Sequence, residues 1–230
     1  MINSYPSLIE IFSYDPEYFN IVLTSIKVSF SAVLISFTLS VPIGYMLSTT
    51  KFLGRGFLII IINTLMALPP VVVGLVLYIL FSNYGLFGSM DILYSVYIMI
   101  IAQTILITPI LISLSREAIA RACSEYDEFM ISLDLSDLFK MKTLIWETRY
   151  TLITNFLVGF GRALSEVGAI IIVGGNIAYL TRTMTTGIVL ETSQGNLSMA
   201  LKLGATLLLI SLIINILLYY IKSLGEQKIS

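Results

Sequence analysis

F-L-I-I-I-I-N-T-L-M-A-L-P-P-V-V-V-G-L-V-L-Y-I-L-F, Phe57 to Phe81, contains no charged residue and is apolar on successive positions. A half-buried strand would alternate, and a barrel would repeat that alternation in short segments. A helix crossing a bilayer needs about 20 mostly apolar residues instead. Four further stretches meet that length: Ile21 to Ser48, Ile92 to Leu114, Thr151 to Val173 and Met199 to Ile221. The chain is 57% hydrophobic and 12% charged, with a mean hydropathy of +0.94, too little polar surface to cover a soluble globule of 230 residues. The expected fold is all-α and polytopic, with five transmembrane helices.

Lys and Arg mark the cytoplasmic side of a membrane protein. With five spans, Lys51, Arg55, Arg116, Arg121, Lys140, Lys142, Arg149, Lys222 and Lys228 share one side, and Arg182 alone occupies the opposite loops. An even number of spans breaks this partition. The N-terminus is therefore expected outside and the C-terminus inside. Residues 1–20 carry Glu10, Asp15 and Glu17 and no base, so they lack the positive region of a signal peptide. They read as an external or interfacial segment, either with a short helix over Tyr5 to Phe12 or as a frayed end. Residues 21–222 form the transmembrane domain and 223–230 a cytoplasmic tail.

Prolines interrupt the first three spans: Pro42, the doublet Pro69-Pro70, and Pro109. Each removes a backbone donor and crowds the preceding turn, so neighbouring helices or hydroxyls must satisfy the freed carbonyls. The doublet, followed by Gly74, predicts a break facing a cavity or a partner. Ser82 to Asp91 reads as a short external connector. Lys27 and Lys202 lie near the outer ends of their spans, where long stems reach the interface. The chain has no His, which removes His-based metal ligation, proton relay and nucleophile activation. Cys123 is the one Cys of the chain, so no disulfide forms within it, and it reads as a small packing residue.

From about Ser115 to Arg149 the pattern turns amphipathic. Ser124 is expected to cap a helix with Glu125, Asp127 and Glu128 in its first turn, and Phe129, Met130 and Leu133 form one apolar patch. After Asp134, Ser136 is expected to cap a second helix with Leu138, Met141, Ile145 and Thr148 on one stripe. Helices this short are marginal in water, so the stripe needs a partner. Glu128-Phe129-Met130-Ile131-Ser132-Leu133-Asp134, followed ten residues later by Leu144, resembles the cytoplasmic coupling segment of permease subunits of ABC importers. There Phe129 and Met130 replace two alanines, Asp134 the turn glycine, and Glu147 the usual proline. The resemblance implies a helix-turn-helix that docks in a groove of a cytoplasmic ATPase, with Glu128, Phe129, Met130, Leu133, Asp134 and Leu144 as coupling residues.

The next stretch is G-R-A-L-S-E-V-G-A-I-I-I-V-G-G-N, Gly161 to Asn176. Arg162 and Glu166, four apart, are expected to share a helix face, either as a structural ion pair or in coupling and gating. Gly159, Gly161, Ala163, Ser165, Gly168 and Ala169 supply small side chains where helices approach closely. With V-G-G-N-I at 173–177, T-R-T-M-T-T at 181–186 and L-E-T at 190–192, the chain resembles permeases of tungstate and molybdate importers, nearest the tungstate-type branch. That resemblance implies the transmembrane-domain fold of type I ABC importers and a homodimer of two copies of this chain in lipid. It also implies an extracytoplasmic oxyanion-binding protein and a separate ATPase that binds ATP and Mg. No cofactor is expected in this chain, no metal, no catalytic residue and no nucleic-acid partner. A Walker-type phosphate loop is absent from the sequence.

A doubly charged anion in transit is served better by weak, numerous donors than by a fixed cluster of cations. Thr181, Thr183, Thr185 and Thr186, with Gly187, are expected either to supply such donors from a short re-entrant helix ending near Glu191 or to form a simple outer hairpin. Arg162, Ser165, Glu166, Asn176, Thr183, Thr185 and Thr186 are the candidates for a path or gate. A channel or secondary transporter is the alternative. It would need its own gating charge or ion site, and the spans offer only Lys27, Arg162, Glu166 and Lys202.

Overall fold

A computed structural model describes residues 15–132 and 136–226. Nine α-helices occur among them: α1 Pro16–Thr49, α2 Arg55–Leu65, α3 Pro70–Phe81, α4 Val96–Ser132, α5 Asp137–Glu147, α6 Arg149–Leu164, α7 Gly168–Gly174, α8 Met184–Ser193 and α9 Leu197–Glu226. Among the described residues α1, α4 and α9 are each long and apolar enough to cross a membrane; counting α2 with α3 and α6 with α7 as single interrupted spans gives up to five. The expected helix over Tyr5 to Phe12 lies outside the described residues.

Pro42 and Pro109 sit inside uninterrupted helices, whereas Pro69-Pro70 separates α2 from α3. A residue before proline is steered away from the helical region. The doublet imposes this on Leu68 and Pro69 in succession, and Pro69 is extended, with φ −65° and ψ 122°. Pro70 then fits the first helical position, where a missing N–H costs nothing.

The described chain divides into two compact units. The first takes residues through Ser31, Pro69–Gln103 and Ala163–Ile213; the second takes Ala32–Leu68, Thr104–Arg162 and residues from Ile214 onward.

In the second unit, α1 and α4 are joined by hydroxyls donating to backbone carbonyls: Ser36 to Thr104 (3.3 Å), Ser40 to Thr108 (3.1 Å) and Ser48 to Arg116 (2.9 Å). The sequence offset is 68 at each, so these two helix segments run parallel. Gly44 completes the series one turn after Ser40; a Cβ there would lie 3.0 Å from Arg116 N and 3.0 Å from Ser115 Cβ. Small residues every fourth position let the backbones approach this closely. Leu47, Ile62 and Ile112 cluster with Ile43, Leu58 and Ile59, which seats α2. Leu144 is buried against Ile119 and Ala122, with Tyr45, Cys123 and Tyr126 around it, which seats α5.

In the first unit α3 lies against α7, glycine facing backbone. A Cβ on Gly74 would stand 3.0 Å from Ala169 Cα, and one on Gly168 only 2.8 Å from Val71 Cγ2. Tyr94 N–H donates to Val173 O at 2.9 Å, and Met99 packs on Gly174. The connector between α3 and α4 folds as turns with a short 3-10 helix, Gly88–Met90.

Candidate functional site

The expected span over Thr151 to Val173 is interrupted. α6 ends at Leu164, the Glu166 N–H closes a tight last turn on Ala163 O at 3.2 Å, and Val167 departs from helical geometry with φ −122° and ψ −54°. Arg162 and Glu166 therefore do not lie on one continuous helix, although their spacing is that of one. Arg162 is exposed and belongs to the second unit; Glu166 is buried and belongs to the first.

A helix interrupted at membrane depth must have its freed backbone groups satisfied by other parts of the protein. Two distant side chains do so here. Gln103 Nε2 donates to Ala163 O at 2.9 Å and reaches Ser29 Oγ at 3.5 Å. The Thr185 hydroxyl donates to Glu166 O at 2.7 Å. The Glu166 carboxylate accepts from Ala169 N–H at 3.4 Å, at the N-terminus of α7, where a negative charge is favoured by the helix dipole. Ser165 is exposed at the gap between the helices.

The expected short helix after Thr183 is present as α8. Thr183 caps it reciprocally with Thr186, the capping-box arrangement. The Met184 N–H donates to Ser25 Oγ at 2.7 Å, so α1 holds the start of α8. Thr181 donates to Gly174 O at 2.6 Å and accepts from Ile177 N–H, bracing the turn in which Gly175 and Asn176 both have positive φ. At the other end of α8, the buried Glu191 accepts from Asn196 Nδ2 at 2.6 Å. The four threonines expected to offer hydroxyls to an anion are all buried, and the hydroxyls of Thr181, Thr185 and Thr186 donate to backbone carbonyls. Asn176 donates to Thr186 O at 3.4 Å, and its buried Oδ1 has no partner among the described residues. In this conformation the threonines hold the interruption and α8 together.

Gln103, Ser25, Ser29 and the pair Glu17–Arg182 escaped sequence reasoning. Ser25, Ser29, Ser36, Ser40, Gly44 and Ser48 recur at multiples of about one helical turn, and that small-residue stripe was the available signal. Nothing in the neighbourhood of Gln103 marks it, because its partner is sixty residues away.

The second unit carries the coupling candidates. Glu128, Phe129 and Met130 fall within α4, which runs unbroken to Ser132. Ser124 does not start a new helix; its hydroxyl bonds back to Arg121 O at 2.9 Å inside α4. Leu133 and Asp134 lie outside the described residues. Ser136 does stand at the N-cap of α5, with extended backbone and no side-chain bond. Of the expected stripe, Leu138 is exposed and Thr148 buried, and the residue that enters the core is Leu144. Phe139 and Trp146 are also exposed, and the Arg149 guanidinium lies 4.5 Å over the Trp146 ring.

No family model matches the chain. It is 37% identical over 94% of its length to the "tungstate uptake system permease protein TupB" of Peptoclostridium acidaminophilum, covering 93% of that protein. A "probable anion ABC transporter permease protein" of Haloferax volcanii is 36% identical over 86% of this chain and 88% of its own. The "tungstate uptake system permease protein TupB" of Campylobacter jejuni is 37% identical over 75% and 72% respectively.

Proposed function

Because this chain belongs to the family of anion permease subunits of ABC uptake systems, we propose that it is the membrane-spanning subunit of an ATP-driven tungstate importer that also accepts molybdate. It is a multi-pass membrane protein. The substrate assignment rests on 37% identity, over 94% of this chain, to a tungstate uptake permease. Both anions are doubly charged and tetrahedral, and the binding protein that delivers them is the better place for discrimination.

Five spans with the N-terminus outside account for two independent observations. The basic residues partition to one side, and α1 and α4 run parallel through Ser36–Ser48 and Thr104–Arg116, so the chain between them must return across the bilayer. Two copies, two ATPase subunits and an external binding protein complete the machine. ATP-driven closure of the ATPases draws together the segments from Glu128 to Trp146, and the helices open outward; hydrolysis restores the inward-facing state. Exposed Leu138, Phe139 and Trp146 supply the apolar contact such docking needs.

The gate is assigned to the interruption between α6 and α7. Ser165, exposed at the gap, and Glu166, Asn176, Thr183, Thr185 and Thr186 around it belong to it, with Arg162 on the helix that enters it. A broken helix can rearrange at the break without losing its flanking turns, provided its exposed carbonyls exchange partners. The test is uptake of labelled tungstate, with molybdate as competitor, by proteoliposomes containing the whole complex and the binding protein. ATP-dependent uptake that molybdate suppresses is expected; equal uptake by this chain without the ATPase would establish the channel or secondary transporter instead. Replacing Leu133 by Glu and Asp134 by Trp should leave ATP hydrolysis running while uptake stops.

A further inference from the structure

We propose that Arg182 is a switchable contact for the transported oxyanion, neutralised by Glu17 in this conformation and released from it when the anion arrives. This rests on the importer function and orientation proposed above. Glu17 stands in the first turn of α1, where Asp15 Oδ1 accepts its N–H at 2.9 Å. Arg182 immediately precedes the cap of α8, and one of its terminal amino groups donates to Glu17 Oε1 across 165 residues of sequence. The Arg182 side chain is 14% exposed and that of Glu17 31%. The guanidinium stem passes over Gly187, where a Cβ would lie 3.8 Å from Arg182 Cγ and 3.0 Å from Leu203 Cδ1. The tight approach at 187 is therefore to Leu203, and the Arg182 stem lies at ordinary contact distance.

Two further observations separate this pair from a simple tie between helix ends. Arg182 Nε is buried with no hydrogen-bond partner among the described residues, so Glu17 leaves part of the planar fork unmet. An orphaned buried donor is costly, and a tetrahedral oxyanion, with acceptor oxygens on every face, can engage several guanidinium donors at once. Second, the neighbouring charge is balanced. Lys202 Nζ lies 4.3 Å above the ring of Tyr18, the residue after Glu17, and Tyr18 is itself bonded to Thr206 at 2.5 Å. Among the described residues, the bases Arg182 and Lys202 are thus matched in number by the acids Glu17 and Asp15, and a dianion is held only while Glu17 swings away.

A competing internal carboxylate resolves the difficulty of binding a dianion without trapping it. At equal distance, the Coulomb attraction of Arg182 for a double charge exceeds that for Glu17. Once the anion occupies the fork it repels Glu17 and Asp15, and the ATP-driven rearrangement proposed above returns Glu17 to the fork and ejects it. Glu17 is therefore a release residue and Arg182 a capture residue.

The complete complex in proteoliposomes, with tungstate and then molybdate as the probe, tests this by KM and kcat separately. Arg182→Gln should raise KM by about tenfold or more, as expected for loss of a charge-assisted contact. Arg182→Lys, which keeps the charge without the fork, should raise KM and leave kcat nearly unchanged. Glu17→Gln should do the reverse, lowering both KM and kcat by about threefold or more, because the anion loses its competitor. The exchanged pair Glu17→Arg with Arg182→Glu should assemble and remain inactive. Restoration of uptake by the exchanged pair, with both single variants impaired alike, would reduce the pair to a structural tie. Wild-type complex without ATP-driven uptake of either anion would instead defeat the importer assignment.

Discussion

The two units spend the same side chains in opposite ways. In the second, serine hydroxyls connect two uninterrupted helices: α1 and α4 keep their own backbone ladders, and Ser36, Ser40 and Ser48 add bonds between them. In the first, hydroxyls and an amide take the place of backbone bonds that the chain has given up. Thr185 and Gln103 serve the carbonyls at the interruption after Leu164, and Ser25 serves the first N–H of α8. A bond added to a complete ladder stiffens it. A bond that substitutes for a missing one can be exchanged for another of similar energy, so the segment can have two arrangements. Polar groups buried in a membrane protein therefore mark movement only where the backbone beneath them is incomplete.

The comparison is sharpest where the seam of the second unit is closest. Gly44→Val places branched carbon where even a Cβ would meet Arg116 N at 3.0 Å. Backbone cannot yield as a side-chain end can, so about 3 kcal/mol or more of stability should be lost. Thermal unfolding of the purified protein in detergent should show little folded material; near-normal stability would mean that the α1–α4 seam is loose. Next, Gln103→Leu removes the side-chain donor to Ala163 O in the first unit and leaves that carbonyl only the tight-turn bond from Glu166 N–H, at a cost of about 1 kcal/mol. Thr185→Val, an isosteric loss of the donor to Glu166 O, should cost about 1 kcal/mol in unfolding yet reduce tungstate uptake by about tenfold or more. Equal effects on stability and uptake would erase the distinction between the units.

The expected apolar stretches, the start of α5 after Ser136 and the helix beginning after Thr183 were legible because each depends on residues close in sequence. The doublet Pro69-Pro70 was legible as a break for the same reason: its effect on Leu68 and Pro69 is local and steric. The interruption at Ser165 to Val167 was not. Arg162 and Glu166 have the spacing of one helix face, Gly161 and Gly168 are ordinary in membrane helices, and the partners that make a break tolerable come from Gln103 and Thr185. Likewise the stripe Leu138, Met141, Ile145 and Thr148 has good helical period, yet Leu144 takes the inward position. Period specifies that a helix has a face, and the neighbours Ile119 and Ala122 decide which one is covered. Arg182 was visible as an isolated base, but its partner in α1 follows only from packing.

The smallest effect belongs to a single hydroxyl of the seam, and it bears most directly on whether the two uses differ. Ser40→Ala removes one bond to Thr108 O, 3.1 Å long, while the α4 ladder around that carbonyl stays otherwise intact. Interhelical hydrogen bonds in membrane proteins average about 0.6 kcal/mol. Ser40 is fully buried, and alanine fills its place without a cavity larger than an oxygen. Pro109 follows Thr108, but it withdraws its own donor from a carbonyl one turn earlier, not from Thr108 O. The variant should therefore melt within a degree or two of the parent and take up tungstate at the parental rate. A large loss of uptake with unchanged melting would place exchangeable bonds in the second unit as well, and the seam between α1 and α4 would then belong to the moving part.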